Sequence, residues 1–456
     1  MKPKKSPQND TRQSLYHTRL DALVNKRHSL IQLGGIINWD YLERELGQPY
    51  HETQGAPAKP VRLMAGLQYL KHIHNLSDEQ LLERWVENPY WQHFCGSLFF
   101  EYDFPIDPSS MSRWRKLHGD KLEVLLAASI QAGLATKTIT PKSIEKINVD
   151  TTVQEKAITF PTDAKLYHRM REKLVKRAAA HGVELRQTYR RVGKATYIEC
   201  GRLFHLKHLK KAKQKLRKVK TYLRRVCNDI ARKIAGNAGL IQAFEPFLAM
   251  AERLLLQHKG GKNKLYSLHA PEVECISKGK AHKKYEFGNK ASFATTSREC
   301  FCVGAMGLHG NPYDGNTLSG QLEQTARLLG QKEYTGNVFL DLGYRGYEYE
   351  GKAGIHICGR GVKRPPPEVD KRERRWRKRR SAIEPAIGHM KNDGRLGRNF
   401  LKGELGDRMN VILSACGWNL RLILLGLSFL FYNFRSFFSC FWSDFRLTKF
   451  SSRLSA

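Results

Sequence analysis

The sequence predicts a mixed α/β core that carries a basic helical insertion and follows an all-helical domain. Three observations lead there. Short β-branched stretches over residues 144–160, 272–310 and 337–341 are separated by helical spacing, the pattern of a mixed sheet with covering helices. Residues 165–235 repeat apolar side chains every seven positions on an almost purely basic background. Residues 15–135 read as helical, with several helix starts.

A chain of 456 residues is long enough for two or three domains. With 41% apolar and 10% aromatic residues it can build real cores and is not a disordered basic tail. Lys and Arg number 78 against 43 Asp and Glu, a net charge of +35 and a pI near 9.9. Such a balance points to a polyanionic partner, and to nucleic acid before a membrane surface. The nine cysteines are scattered without a C-x-x-C, which suits reduced thiols in a cytoplasmic protein. Cys300 and Cys302 would share one face of a strand, but no second pair accompanies them as a zinc site requires.

Residues 1–14 read as a polar, disordered leader without the apolar stretch of a signal peptide. In the helical domain, residues 15–135, Val61, Leu63, Met64, Leu67 and Leu70 are spaced for one helix face. Ser77 and Gln80 form a capping-box pattern ahead of Leu81, Leu82 and Trp85. Pro108-Ser109-Ser110 starts a further helix before Met111, Trp114 and Leu117. Interleaved Trp and Arg suit a helix-turn-helix-like DNA-binding domain, and the pattern fits a plain helical bundle equally.

The texture changes at Ser143. Ile144, Ile147 and Val149 lead to Asp150, and a second strand is expected at Ala157–Pro161 after a turn. The helical insertion, over 165–265, begins next. Its first 71 residues, 165–235, hold 23 Lys or Arg and four acids. Leu209, Leu216, Leu223 and Ile230, with Ala212, Val219 and Val226, form an apolar seam of about three heptads, so a long helix or helical hairpin. A solvated helix would mix both signs to gain i,i+4 pairs. The excess of one sign favours contact with DNA, with Lys210, Lys211, Lys213, Arg217 and Arg224 as candidate DNA-binding residues.

Strand texture returns over 272–310, a helix is expected from Thr317 to Leu329, and Asn337–Asp341 reads as a buried strand ending in a carboxylate. Pro365-Pro366-Pro367 is a breaker before a basic run from Lys371 to Arg380. The catalytic domain spans 140–420, and residues 421–456 form an apolar, aromatic tail. Arg421 and Arg435 leave 13 apolar-rich residues between them, too few to span a bilayer, so no membrane partner is expected.

Two carboxylates lie at expected strand ends, Asp150 and Asp341, and Glu384 follows the basic run. A buried-strand carboxylate is costly unless it meets a cation or a strong donor. Three carboxylates from separate elements can hold two Mg²⁺ ions about 4 Å apart for in-line phosphoryl displacement, and Mn²⁺ suits the same oxygen donors. Glu384 also has a capping reading with Ser381, which Pro385 weakens. Asp163 reads as part of an ordinary helix cap and Asp314 as turn chemistry. His72, His74, His205 and His208 are read as surface or DNA-facing.

At these residues a resemblance becomes specific. INVDTTVQEKAITFPTDAKL, FLDLGYRGYEYEG and RRSAIEPAIGHMKNDGRLGRNFLKGELGDRMN resemble the three catalytic blocks of bacterial insertion-sequence DDE transposases, most closely the insertion-sequence-five family. The segment from Leu33 to Leu134, with NPYWQHFCG, is similar to the InsH-type N-terminal domain. The resemblance implies an RNase H-like core with Asp150, Asp341 and Glu384 as the catalytic, metal-binding triad. It implies metal-dependent cleavage at the element's terminal inverted repeats, release of a 3′-OH, and its transfer into target DNA by a homodimer or larger synaptic complex. Arg380, Glu384 and Lys391 fit the signature Y-x2-R-x3-E-x6-K, with Arg377 at the Tyr position. By analogy Arg380, Lys391 and Arg377 bind DNA, the first two at flanking phosphates. The alternatives are a silent DNA-binding descendant of a transposase and an RNase H-like nuclease that does not join. A bacterial transposase is expected in the cytoplasm, at the nucleoid.

Overall fold

The computed structural model describes residues 1–2, 19–51, 54–258, 260–261, 264–277, 283–359 and 371–451, with side chains except at position 372 and beyond residue 428. Residues 3–14 of the expected leader, the Pro365–Pro367 breaker and the aromatic side chains of the tail from Phe429 onward lie outside them. The chain forms two compact units. One joins Met1–Glu155 to Lys290–Ala456, and the other is Lys156–Asn289.

The first unit opens with helices α1 (Leu20–Leu23), α2 (Ser29–Ile36), α3 (Trp39–Leu46), α4 (Val61–Ile73), α5 (Asp78–Glu87), α6 (Pro89–Phe94), α7 (Pro108–His118), α8 (Glu123–Ala135) and α9 (Pro141–Ile144). Their starts follow capping chemistry. Both bonds of the Ser77–Gln80 box form, at 3.1 and 3.2 Å. Asn88 accepts from the Trp91 amide at 3.1 Å, and Pro108 occupies the first turn of α7 behind its cap Asp107. Strand β1 (Lys146–Glu155) follows.

The second unit holds α10 (Asp163–Ala180), α11 (Arg190–His205), α12 (Leu209–Ile234), α13 (Ala238–Leu256) and β2 (Glu274–Ile276). Its boundaries, 156–289, are wider than the insertion expected over 165–265. The heptad seam forms one 26-residue helix, α12, which buries Ala212, Val219, Leu223, Val226 and Ile230. The seam is incomplete at its start, where Leu209 is 54% exposed. These residues pack with Leu166, Met170, Leu174, Phe244 and Leu254 in a core of the unit's own. The strand expected at Ala157–Pro161 does not form. The chain there is irregular, and Thr162 caps α10 instead, accepting from the Lys165 amide.

β3 (Glu286–Thr296) begins in the second unit, where its first residues pair with β2, and continues into the first from Lys290; there follow β4 (Cys302–Leu308), α14 (Leu318–Leu328), β5 (Asn337–Leu340), β6 (Gly354–Ile357), α15 (Lys371–Arg379), α16 (Ile383–Asp393) and α17 (Gly403–Ser451). β1 lies between β3 and β5. It runs parallel to β5, β5 runs parallel to β6, and β3 and β4 are antiparallel. Cys300 lies in the turn before β4, with φ +56°, so the two cysteines do not share a strand face.

One core takes in the N-terminal helices and the sheet: Leu33, Leu67, Trp85, Leu126, Ile147, Phe293, Val338 and Ile387 are all buried in it. α17 is its hub. Val411, Leu413, Cys416, Leu420 and Ile423 are buried along it. Buried Asn419 closes both backbone groups of Cys302, at 2.8 Å each. A Cβ at Gly417 would stand 2.7 Å from the His72 backbone, so only glycine allows α17 and α4 this close. The stretch Gly403–Ser428 is long and apolar enough to cross a membrane, but 56% of its most apolar window is buried in this core. Leu425 is 67% exposed, on the face of α17 away from the core that Leu424 and Leu427 still pack against. His72, expected at the surface, is 1% exposed.

Candidate active site

The β1–β5 ladder pairs Lys146 with Asn337 and Asn148 with Phe339. Two residues further along, the same register sets Asp150 opposite Asp341. Positions in register on neighbouring strands share a sheet face, roughly 4.8 Å apart. Asp150 lies in the middle of β1 and not at its end as expected. The residues after it, Thr151, Thr152 and Val153, are β-branched and buried, and they extend the strand. β5 does end before Asp341. The Asp341 carboxylate accepts from the Gly343 amide at 2.9 Å, turning the chain out of the strand. A Cβ at Gly343 would lie 3.0 Å from Asp341 Oδ1 and 3.1 Å from Asp314 Oδ2, so a side chain there would press on both carboxylates.

The third carboxylate arrives on a clamped segment. Asn148, two residues before Asp150, donates to the Arg379 carbonyl at 3.2 Å and accepts from Ser297 at 2.8 Å. Arg379 donates to the carbonyls of Ser297 and Arg298 at 3.1 and 2.9 Å. These bonds fix a single 3₁₀ turn, Arg380–Ala382, against the sheet, and α16 starts from it with Glu384 in its first turn. The Ser381 capping box does not form. The Ser381 hydroxyl donates to the Lys378 carbonyl, and the Glu384 carboxylate accepts from Arg380 at 2.7 Å.

Arg380 is the centre of the arrangement. Its Nη2 lies 3.1 Å from Asp150 Oδ2 and 3.3 Å from Asp341 Oδ2, while Nη1 holds Glu384. The guanidinium is 13% exposed, Asp150 15%, Asp341 37% and Glu384 59%. One cation thus meets all three carboxylates, and its Nε is buried without a partner. Among the described residues, no three His, Cys, Asp or Glu side chains stand closely enough to hold a metal ion as placed. The sequence puts no base beside Asp150 or Asp341; the fold brings one 230 residues along the chain from Asp150.

Further residues meet this centre that sequence reasoning had passed over. Asp314, read as turn chemistry, does accept from the Thr317 hydroxyl through its carbonyl at 2.7 Å. Its carboxylate also accepts from Thr151 at 2.8 Å and from Lys290 at 2.9 Å, beside Asp150. Tyr344 is 1% exposed; burial, and then the charges of Asp150, Asp314 and Asp341, hold its phenol well above the usual range. The spacing Asp341-x-Gly343-Tyr344 carried a signal for Tyr344, whereas nothing local marked Asp314.

The other sequence candidates fall as follows. Arg377 is tied to Glu373 at 2.7 Å and lies 3.5 Å from His356 Nδ1, apart from the three carboxylates. Lys391 stands two helical turns beyond Glu384, on the same face of α16. In the second unit Lys210, Lys211, Lys213, Arg217 and Arg224 are all exposed. Among the described residues, acids pair with only Arg171, Lys215, Arg232 and Lys233 of the 23 bases over 165–235 and leave the other nineteen without a carboxylate partner.

Comparison with known proteins gives the same direction. Residues 18–117 match the family described as Transposase domain (DUF772), and residues 258–420 match the Transposase DDE domain family. Asp341, Arg380, Glu384 and Lys391 fall inside the second match; Asp150 falls outside both and stands in register with Asp341. The chain is similar to a Rhizobium meliloti protein described as uncharacterized protein ORF8 in the nfe locus. The two are 50% identical over 192 residues, 42% of this chain and 92% of that protein. No solved structure matches. The two family matches together cover more than half of the sequence, and the chain belongs to the insertion-sequence DDE transposases.

Proposed function

We propose that this protein is a transposase of the insertion-sequence-five group that cuts DNA at its element's terminal inverted repeats and joins the freed 3′-OH to target DNA. The observation that carries this reading is the convergence of Asp150, Asp341 and Glu384, from three separate elements, on the single guanidinium of Arg380. The strand order and the parallel β1–β5–β6 directions support an RNase H-like core.

DDE transposases generally use divalent ions, and the residues present fit one. The donors are hard carboxylate oxygens that already enclose a positive charge, the guanidinium of Arg380. Asp150, Asp341 and Glu384 would hold Mg²⁺, two ions by analogy, with Mn²⁺ as a substitute. When bound, such ions activate the attacking oxygen and stabilise the leaving oxygen of phosphodiester chemistry. Arg380, released from the carboxylates, turns to a phosphate of the strand being cut, and Lys391 holds a neighbouring one. Tyr344, kept neutral among carboxylates, walls the site and is not a nucleophile. The exposed bases of α12, Lys210, Lys211, Lys213, Arg217 and Arg224, bind flanking DNA, and the N-terminal helices take the repeat ends. The protein works in the bacterial cytoplasm, at the nucleoid, as a homodimer or larger synaptic complex.

The test uses the purified chain with Mg²⁺ and a supercoiled plasmid carrying its gene within native flanking DNA. The expected products are cuts on both sides of the gene and joined molecules. Cuts without joining would make the protein a nuclease, and binding without cuts a silent descendant.

A further inference from the structure

We propose that Phe400, Arg395 and Arg398 form a nucleotide-binding platform that holds the DNA beyond the cut site. The inference rests on the reading of this chain as a DNA-processing enzyme, and it assigns a role to a loop outside the carboxylate centre. The ring of Phe400 is 57% exposed. The guanidinium carbons of Arg395 and Arg398 lie 5.3 and 5.4 Å from its centroid. Neither arginine is in a salt bridge with a carboxylate among the described residues; Arg395 donates to the Asn75 carbonyl at 3.4 Å.

A single exposed Phe is ordinary. This one differs because the backbone under it is fixed from behind. Asn399 is 1% exposed; its amide donates to the Glu155 carbonyl at 2.7 Å and its side chain accepts from the Leu401 amide at 2.9 Å. Asn410 donates to the Arg395 carbonyl at 3.1 Å and to Gln154 at 2.7 Å. Arg395 itself holds φ +66°, a conformation rare outside glycine, which these bonds maintain. The fold thus presents a flat apolar ring and two cations on a rigid base, Arg398 exposed and Arg395 half-buried.

Its position suits DNA that passes through the active site. Glu155 and Gln154 belong to β1, which carries Asp150 five residues earlier, about 17 Å away at the usual rise. That distance is about five base-pair steps of a duplex. Lys391, on α16, accepts through its carbonyl from the Gly397 amide at 3.2 Å, at the start of the same loop. An unpaired base against an aromatic ring, with its phosphates on neighbouring guanidinium groups, is how proteins hold single-stranded nucleic acid without reading sequence.

The experiment measures fluorescence-anisotropy affinity of the full-length chain for a labelled 30-bp duplex with a single-stranded end of about ten nucleotides, over a range of salt. Phe400→Ala is expected to bind about tenfold more weakly at every salt concentration, with the log–log slope unchanged. Phe400→Trp is expected to match the parent. Arg395→Gln with Arg398→Gln is expected to flatten the slope by about 2. Parent-like binding by Phe400→Ala, equal weakness of the Ala and Trp variants, or an unaltered slope in the double variant would each overturn the platform. If the folded parent chain itself fails to bind the duplex, the DNA-processing reading falls, and the platform with it.

Discussion

Replacing Arg380 with Met tests whether the guanidinium stands in for a catalytic cation. The substitution keeps bulk and stem but leaves Asp150 and Asp341 side by side with no positive charge between them. Removing one partner of a buried ion pair costs roughly 3–5 kcal/mol, and exposed pairs contribute roughly 0–1 kcal/mol. Here Arg380 and Asp150 are 13% and 15% exposed, while Asp341 and Glu384 are 37% and 59% exposed and partly screened. The expected loss is therefore about 2–4 kcal/mol in EDTA. Mg²⁺ at a hundredfold its Kd should return about 2.7 kcal/mol to the variant. The parent should gain less, because an ion must first displace the guanidinium. Circular-dichroism melts of both proteins, in EDTA and in Mg²⁺, read this out. Equal stability in EDTA, or an equal response to Mg²⁺, would refute the reasoning.

Two further perturbations probe separate parts of the molecule. Changing Lys210, Lys211, Lys213, Arg217 and Arg224 together to Gln should flatten the dependence of log K on log salt by up to about 4.5 while leaving the fold intact, since all five are exposed; an unchanged slope would mean that this face meets solvent. His118, its ring tilted against that of Trp114 with centroids 4.5 Å apart, is held neutral by burial and then by Lys121, with its pKa lowered to about 4. Its unfolded form takes a proton near pH 6.5, so stability falls as pH drops from there toward 4, by up to about 3 kcal/mol. His118→Phe should remove that share of the acid sensitivity, and melts with the same pH dependence as the parent would exclude it.

Local signals made much of this legible. Cap residues such as Ser77 and Pro108 and the seven-residue period of α12 act within a few positions, and the structure follows them. The three carboxylates were readable because each sits in a distinctive block. What escaped depended on distance along the chain. Asp314 looked like a turn residue because its own neighbours make a turn; only the packing of β3 and β1 brings Lys290 and Thr151 to its carboxylate. Arg380 was read as a phosphate ligand from its spacing to Glu384. Its bond to Asp150 arises from the clamp of Asn148 on the Arg379 carbonyl, which no pattern in either segment announces. The strand expected at Ala157–Pro161 had the right composition but lost to the helix start at Thr162.

The central claim is that Asp150, Asp341 and Glu384 act as one centre for cutting DNA. It is tested most directly by Mg²⁺-dependent cleavage of the gene-flanking plasmid by Asp150→Asn, Asp341→Asn and Glu384→Gln, with gel shifts run in parallel. The account predicts that all three lose cleavage and keep DNA binding within a few-fold of the parent. Asp150→Asn carries the most weight, because Asp150 lies outside both family matches. Cleavage at the parent's rate by that variant would contradict the account.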